Sequence, residues 1–200
     1  ERQDLNVDAS GSGNIARFRA NLRAFGVDEG TVVINARNTF DVSPKDISAA
    51  VGPVRMFHVD GGHHKAVVKN DLALAEATIA PHGIVVVDDV FRPEWPEVSA
   101  ALFEYLAAGS SLVPFAIGFN KTYLCHSEFA ETCRKDLLKV DFLKAFLVRR
   151  YKVDAEELLV FQKYPLPEWR FSKWIWYYLE TVHPDLAYSL YKVRRRWKSR

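Results

Sequence analysis

The sequence predicts an α/β fold built on a doubly wound sheet, and three observations carry that prediction. Short apolar runs alternate with segments of helical period. VRMFHV (54–59) is followed by Val68, Leu72, Ala75 and Ile79 at helical steps, then IVVV (84–87), then Val98, Leu102 and Tyr105, then LVPFAI (112–117). Strand, helix, strand, helix, strand is the alternation of open α/β sheets. IVVV is apolar at every position, which suits a parallel strand covered on both faces. Finally, VRMFHV and IVVV both end directly in acid, at Asp60 and at Asp88–Asp89, and ligands of open α/β sheets sit at the carboxyl ends of the strands.

Taken in order, the chain opens with a polar loop ending in GSGN (11–14). Ile15, Phe18, Leu22 and Phe25 then form one apolar helix face, and Gly26 closes that helix. TVVI (31–34) is β-branched and short, as a buried strand would be. VRMFHV is the next strand, and DGGHH (60–64) the turn into the helix over 68–79. APHG (80–83) breaks that helix ahead of IVVV. A loop with Pro93 and Pro96 leads into the following helix, and LVPFAI and TYLCH (122–126) form a hairpin around GFNK. Residues 127–151 are helical in period, and DAEE (154–157) offers a helix start with Asp154 as cap. Pro165 and Pro167 interrupt the chain before an aromatic-rich segment, EWRFSKWIWYYLETV (168–182).

Composition narrows the function classes. The 200 residues are enough for one domain with an appendage. A hydrophobic content of 48% with 26% charged residues is ordinary for a globular protein. The net charge is +2, but the last nine residues, KVRRRWKSR, hold six basic side chains, leaving −4 over residues 1–191. A mildly acidic body does not make a nucleic-acid surface, so no nucleic-acid partner is expected. Cys125 and Cys133 give neither a zinc spacing nor a disulfide framework, which points to a reduced, cytoplasmic setting. No apolar run is long enough to cross a bilayer, and the polar start is not a signal peptide.

If the two strands ending in acid are neighbours, Asp60, Asp88 and Asp89 converge on one edge. Asp and Gly after a strand also form turns and cap helices, and that reading stays open for each Asp taken singly. A doubled Asp is harder to dismiss, because adjacent carboxylates repel and such pairs are usually kept for a cation or a proton.

FHVDGGHHKAVVKNDLALAEATIAPHGIVVVDDV (57–90) resembles the second half of a class I S-adenosylmethionine-dependent methyltransferase. The similarity is to the small-molecule and sugar O-methyltransferase-like subgroup (the methyltransferase domain 24 type). Its members carry a DG-x-H turn after strand four, matched by Asp60, Gly61 and His63. They also carry an L-x-P-x-G approach to strand five, matched by 80–83, and a DD at its end, matched by Asp88 and Asp89. GFNKTYL (118–124) is similar to the family's late hairpin, so the resemblance covers roughly 1–126. It implies a partial methyltransferase domain over 1–126 and a helical extension with a basic tail over 127–200. The family's opening strand and glycine-rich loop have no counterpart, because no apolar strand precedes GSG at 11–13. The expected fold is therefore a Rossmann-like doubly wound sheet lacking its first two strands, which would lie between TVVI and VRMFHV. A chain that starts this way, without Met, is expected to be processed or an N-terminally truncated fragment.

The resemblance implies S-adenosylmethionine as methyl donor and Asp60, with Asn38 and Thr39 against the adenine, as its contacts. Asn38 also reads as an ordinary turn residue, and that reading stays open. It also implies a divalent-metal set of Asp60, Asp88 and Asp89, whose hard oxygen ligands suit magnesium or manganese. A sulfonium methyl is already activated, so the enzyme must make an acceptor hydroxyl nucleophilic and align it. Asp60 and His63 are the expected catalytic residues, His63 as proton acceptor, with a turn-stabilising hydrogen bond as its alternative role. His58 is expected to point toward the sheet and His64 into the helix start. The acceptor is a small molecule or glycan: sugars, phenols and lipid-linked glycans all fit. For residues 127–200 the expectation is packing against the domain or a homodimer partner, with a peripheral membrane contact through the basic tail as the alternative. The competing reading of the whole chain is a non-catalytic α/β interaction module or a degenerate methyltransferase fragment.

Overall fold

The computed structural model describes residues 14–153 and 156–162, with isolated residues beyond. By internal contacts the chain divides into Glu1–Tyr164 and Pro165–Arg200. Within the second unit, the His183 amide donates to the Leu179 carbonyl at 2.9 Å. Apart from Ile175, Tyr178 and Leu179, the aromatic-rich segment lies outside the described residues, as do the basic tail and the cap at Asp154.

In the first unit six strands form one mixed sheet in the order β1 (Val54–Val59), β2 (Ile79–Val87), β4 (Lys121–His126), β3 (Leu112–Gly118), β6 (Glu156–Phe161), β5 (Leu147–Val153). β1 and β2 are parallel, as are β3 and β6, while β4 and β5 run against their neighbours. Helices α3 (Lys65–Thr78) and α4 (Pro96–Ala107) make the crossovers into β2 and β3 and cover one sheet face. Their buried residues Val68, Leu72, Ala75, Val98 and Leu102 pack with Val59, Val85, Val87 and Leu124. On the other face, Ala130 of α5 (Ala130–Lys139) packs with Phe115, Ala116, Cys125 and Leu159. The fully apolar IVVV is explained by this: Val85 and Val87 face one helical layer, and Val86 the other side, only 6% exposed.

Several elements differ from expectation. β2 begins at Ile79 and runs through APHG, because Val54 of β1 supplies a partner for Ile79 and a register shift absorbs the extra residues. TVVI is not a strand. Glu29–Thr31 is a short 3-10 helix, and Val33 beyond it is 61% exposed. A strand exists only as part of a hydrogen-bonded ladder, and no partner strand lies beside this segment among the described residues. A helix unforeseen in the sequence, α2 (Pro44–Val51), is started by a capping box between Ser43 and Asp46 with Pro44 at the first position. The first helix, α1 (Ile15–Ala24), forms as expected. It closes with Gly26 at φ 69°, the Gly26 amide on Arg23 and the Val27 amide on Leu22. Its apolar face is not buried: Phe18 is 45% and Phe25 85% exposed.

The largest departure is after residue 144. The helical extension ends with α6 (Asp141–Lys144), and β5 and β6 pair antiparallel and continue the sheet as a hairpin. Ala116 and Ile117 of β3 pair with Leu159 and Val160, so the hairpin is held by the otherwise open edge of β3. Arg134 of α5 fastens it, donating to the Glu157 carbonyl at 2.8 Å. Tertiary pairing here overrides a local pattern compatible with helix. Among the described residues no helix is long and apolar enough to cross a membrane.

Candidate functional site

β1 and β2 lie side by side and parallel, and the Asp88 amide donates to the Val59 carbonyl at 3.0 Å as the last rung between them. That pairing brings Asp60, Asp88 and Asp89 to one edge, as expected. What differs is how the two adjacent acids are used. Asp89 takes a left-handed conformation, φ 56°, which an Asp side chain tolerates better than most. Its Oδ2 lies 3.1 Å from His63 Nε2, and its Oδ1 accepts from Asn120 Nδ2 at 2.6 Å. Arg92 Nη1 stands 3.6 Å from the same Oδ1. Asp88 instead meets Lys121 Nζ directly, with His58 Nε2 at 3.6 Å. Burial alone would raise the pKa of Asp88, but Lys121, the Asp89 amide and His58 outweigh it and hold the carboxyl below its ordinary value.

His63 is well supported. Its ring stacks on Trp95 with centroids 4.3 Å apart and an interplanar angle of 12°. Both members of the His63–Asp89 pair have side chains only 14% exposed. His64 precedes α3, with Nδ1 3.5 Å from Glu97 Oε1. Glu97 of α4 also accepts from the Lys65 amide at 2.8 Å, satisfying an orphan donor at the start of α3. His58 does not point into the sheet. It is half exposed, with Nδ1 4.0 Å from Asp60 Oδ2, because alternation puts residues 58 and 60 on the same side of the chain.

The Asn38–Thr39 loop is tied to this edge from below. Asn38 Oδ1 accepts from the Phe40 amide at 3.1 Å, so this side chain caps a short 3-10 helix. Thr39 hydrogen-bonds to Asp71 of α3, a carboxylate only 6% exposed. Asp71 also lies against the Asp60–Gly61 turn: a Cβ at Gly61 would stand 3.0 Å from Asp71 Oδ2, a tight contact that the carboxylate would have to give way to by a few tenths of an ångström. One buried carboxylate thus brings together the two segments expected to meet the methyl donor. Desolvation raises the pKa of Asp71, and hydrogen bonds from Thr39 and Asn70 only partly oppose it. A carboxyl whose folded pKa is raised destabilises the fold as pH climbs from its unfolded to its folded value. Asp71→Asn is therefore expected to raise the melting temperature at pH 7, with the gain vanishing below about pH 4, where the unfolded carboxyl is also neutral. Melting curves at the two pH values test this, and an equal change at both would contradict it.

Among the described residues, two groups of side chains have metal-ligand character: His58, Asp60 and Asp88, and Asp60, His63 and Asp89. In each, the ligand atoms lie within 4.8 Å of one another. Asp60 is common to both, while Asp88 and Asp89, expected in one ligand set, fall into different ones. Two carboxylates and an imidazole suit manganese at least as well as magnesium. A cavity of about 210 Å³, lined by Met56, Ile84, Val86, Phe115, Phe119 and Tyr123 among others, is almost entirely apolar and has no carboxylate or imidazole in its lining.

His58, Trp95, Asn120 and Lys121 were not foreseen as site residues. Only for His58 did the sequence hold a direct signal, its two-residue spacing from Asp60. Asn120 and Lys121 arrive through the β3–β4 hairpin, whose two loop residues, Phe119 and Asn120, both have positive φ.

Residues 4–90 match the family described as a methyltransferase domain, a span that ends just past Asp88 and Asp89 and excludes the β3–β4 hairpin. No curated protein and no solved structure matches the chain. With the mixed α/β sheet, this match supports a class I S-adenosylmethionine-dependent methyltransferase domain over residues 4–90.

Proposed function

We propose that the chain transfers the methyl group of S-adenosylmethionine to a hydroxyl oxygen, with His63 as proton acceptor and Asp89 as its partner. The observation that carries this reading is the His63–Asp89 contact at 3.1 Å beside Asp60, at the carboxyl edge of two parallel strands. The acceptor O–H gives its proton to the imidazole as the oxygen attacks the methyl carbon. The carbon–sulfur bond breaks, and its electrons stay on sulfur as S-adenosylhomocysteine leaves. Asp89 stabilises the imidazolium, Asn120 and Arg92 fix Asp89, and Trp95 holds the ring plane. Asp60, together with the Asn38–Thr39 loop that Asp71 ties to it, is the region that receives the methyl donor.

A divalent ion fits His58, Asp60 and Asp88, leaving Asp89 to His63. When bound, such an ion lowers the pKa of a coordinated hydroxyl. Sugars and phenols remain the acceptor classes, the partner is a small molecule or glycan, and the setting we propose is the cytoplasm. Methyl-labelled S-adenosylmethionine incubated with a panel of phenols and free sugars tests the reading. Label in an alkali-stable ether is expected. Label confined to amines, thioethers or base-labile esters would rule out hydroxyl transfer, and full activity in excess chelator would remove the ion.

A further inference from the structure

Lys121 is placed against Asp88 by the sheet rather than by chance. It is the first residue of β4, and Thr122 beside it pairs with Val87, the last residue of β2. The ladder therefore brings residue 121 alongside residue 88 across the strand pair. Lys121 and Asp88 are half-buried to mostly buried, with side chains 28% and 15% exposed, and they are in direct contact. An ammonium in that position occupies the carboxylate a divalent ion would need. Two cations on one partly desolvated carboxylate repel, so each weakens the other's hold on it.

We propose that Lys121 is a built-in competitor for the divalent ion at Asp88: it holds the carboxylate in the ion-free protein and leaves it when an ion binds. Metal affinity is then set by a residue outside the ligand set. Lysine suits this role better than arginine, because its point charge on a flexible stem can swing away, whereas a guanidinium grips a carboxylate through two hydrogen bonds. His58 and Asp60 lie outside the Lys121 contact and stay available to the incoming ion.

The inference rests on the divalent-ion reading above, and manganese binding separates the two. Free and bound Mn²⁺ are counted by electron paramagnetic resonance on the full chain, with no turnover needed. Lys121→Met, which removes the charge and keeps most of the stem, is expected to bind Mn²⁺ about tenfold or more tighter than the parent, the scale of effect of one charge at contact distance. Lys121→Arg is expected to bind no tighter than the parent and controls for fold. Adding Asp88→Asn to Lys121→Met is expected to erase the gain. Equal affinity in the parent and Lys121→Met overturns the inference alone, as does a gain that survives Asp88→Asn. No Mn²⁺ bound by any form overturns the divalent-ion reading and the inference with it.

Discussion

A His63→Ala chain is expected to turn over about 10²–10⁴-fold more slowly than the parent, the usual contribution of a positioned general base. The expectation follows from how many groups converge on one ring: Asp89 at 3.1 Å, the Trp95 face at 4.3 Å, and Asn120 behind Asp89 at 2.6 Å. A histidine serving only its turn would not need a carboxylate that is itself held by a second side chain. The loss is expected in the chemical step, so single-turnover rates with labelled S-adenosylmethionine are the measurement. Raising the pH is expected to restore part of the rate, because the acceptor hydroxyl then ionises without help. Asp89→Asn keeps the shape and removes the charge that stabilises the imidazolium, and its loss is expected to be smaller than that of His63→Ala. A His63→Ala rate within a factor of two or so of the parent would return His63 to a structural role in the turn.

Much of this edge was legible in the sequence because it depends on local facts. A strand announces itself by β-branched runs, and an acid directly after it must lie at the strand's end, so Asp60, Asp88 and Asp89 could be placed before any fold was known. The splitting of Asp88 from Asp89 could not. It depends on the left-handed backbone at Asp89 and on what β4 and the Phe119–Asn120 turn deliver opposite it. The same holds for the hairpin of β5 and β6. Its LVRRYKV and EELLVF segments are compatible with either period, and the free edge of β3 decided between them. TVVI is the converse case, a sequence with strand propensity and no ladder among the described residues to join.

The largest stability loss is expected in the layer that carries the site. Leu72 of α3 and Leu102 of α4 are both 0% exposed and share one cluster with Val85 and Val87 of β2. Leu→Ala at either position removes buried methyl groups and leaves a cavity, costing about 2–5 kcal/mol. A domain of ordinary stability has only about 5–15 kcal/mol in total, so either change takes a large share. Met56→Ala on β1, where the side chain is 67% exposed, is the matched control, expected to stay within about 0.5 kcal/mol. Activity should fall along with stability, because the two helices begin at the site: α3 starts one residue after His64, and Trp95, stacked on His63, caps α4. Glu97 ties the two helix starts together through the Lys65 amide. Loosening the Leu72–Leu102 packing therefore lets the base and its stacking partner shift relative to β2, which carries Asp89. Urea unfolding measures the first effect and turnover well below the melting temperature the second. A Leu102→Ala chain that loses less than about 1 kcal/mol would mean that α4 is held by contacts other than this cluster. One that loses stability but keeps full turnover would mean that the His63–Asp89 geometry is fixed by the strand ends alone.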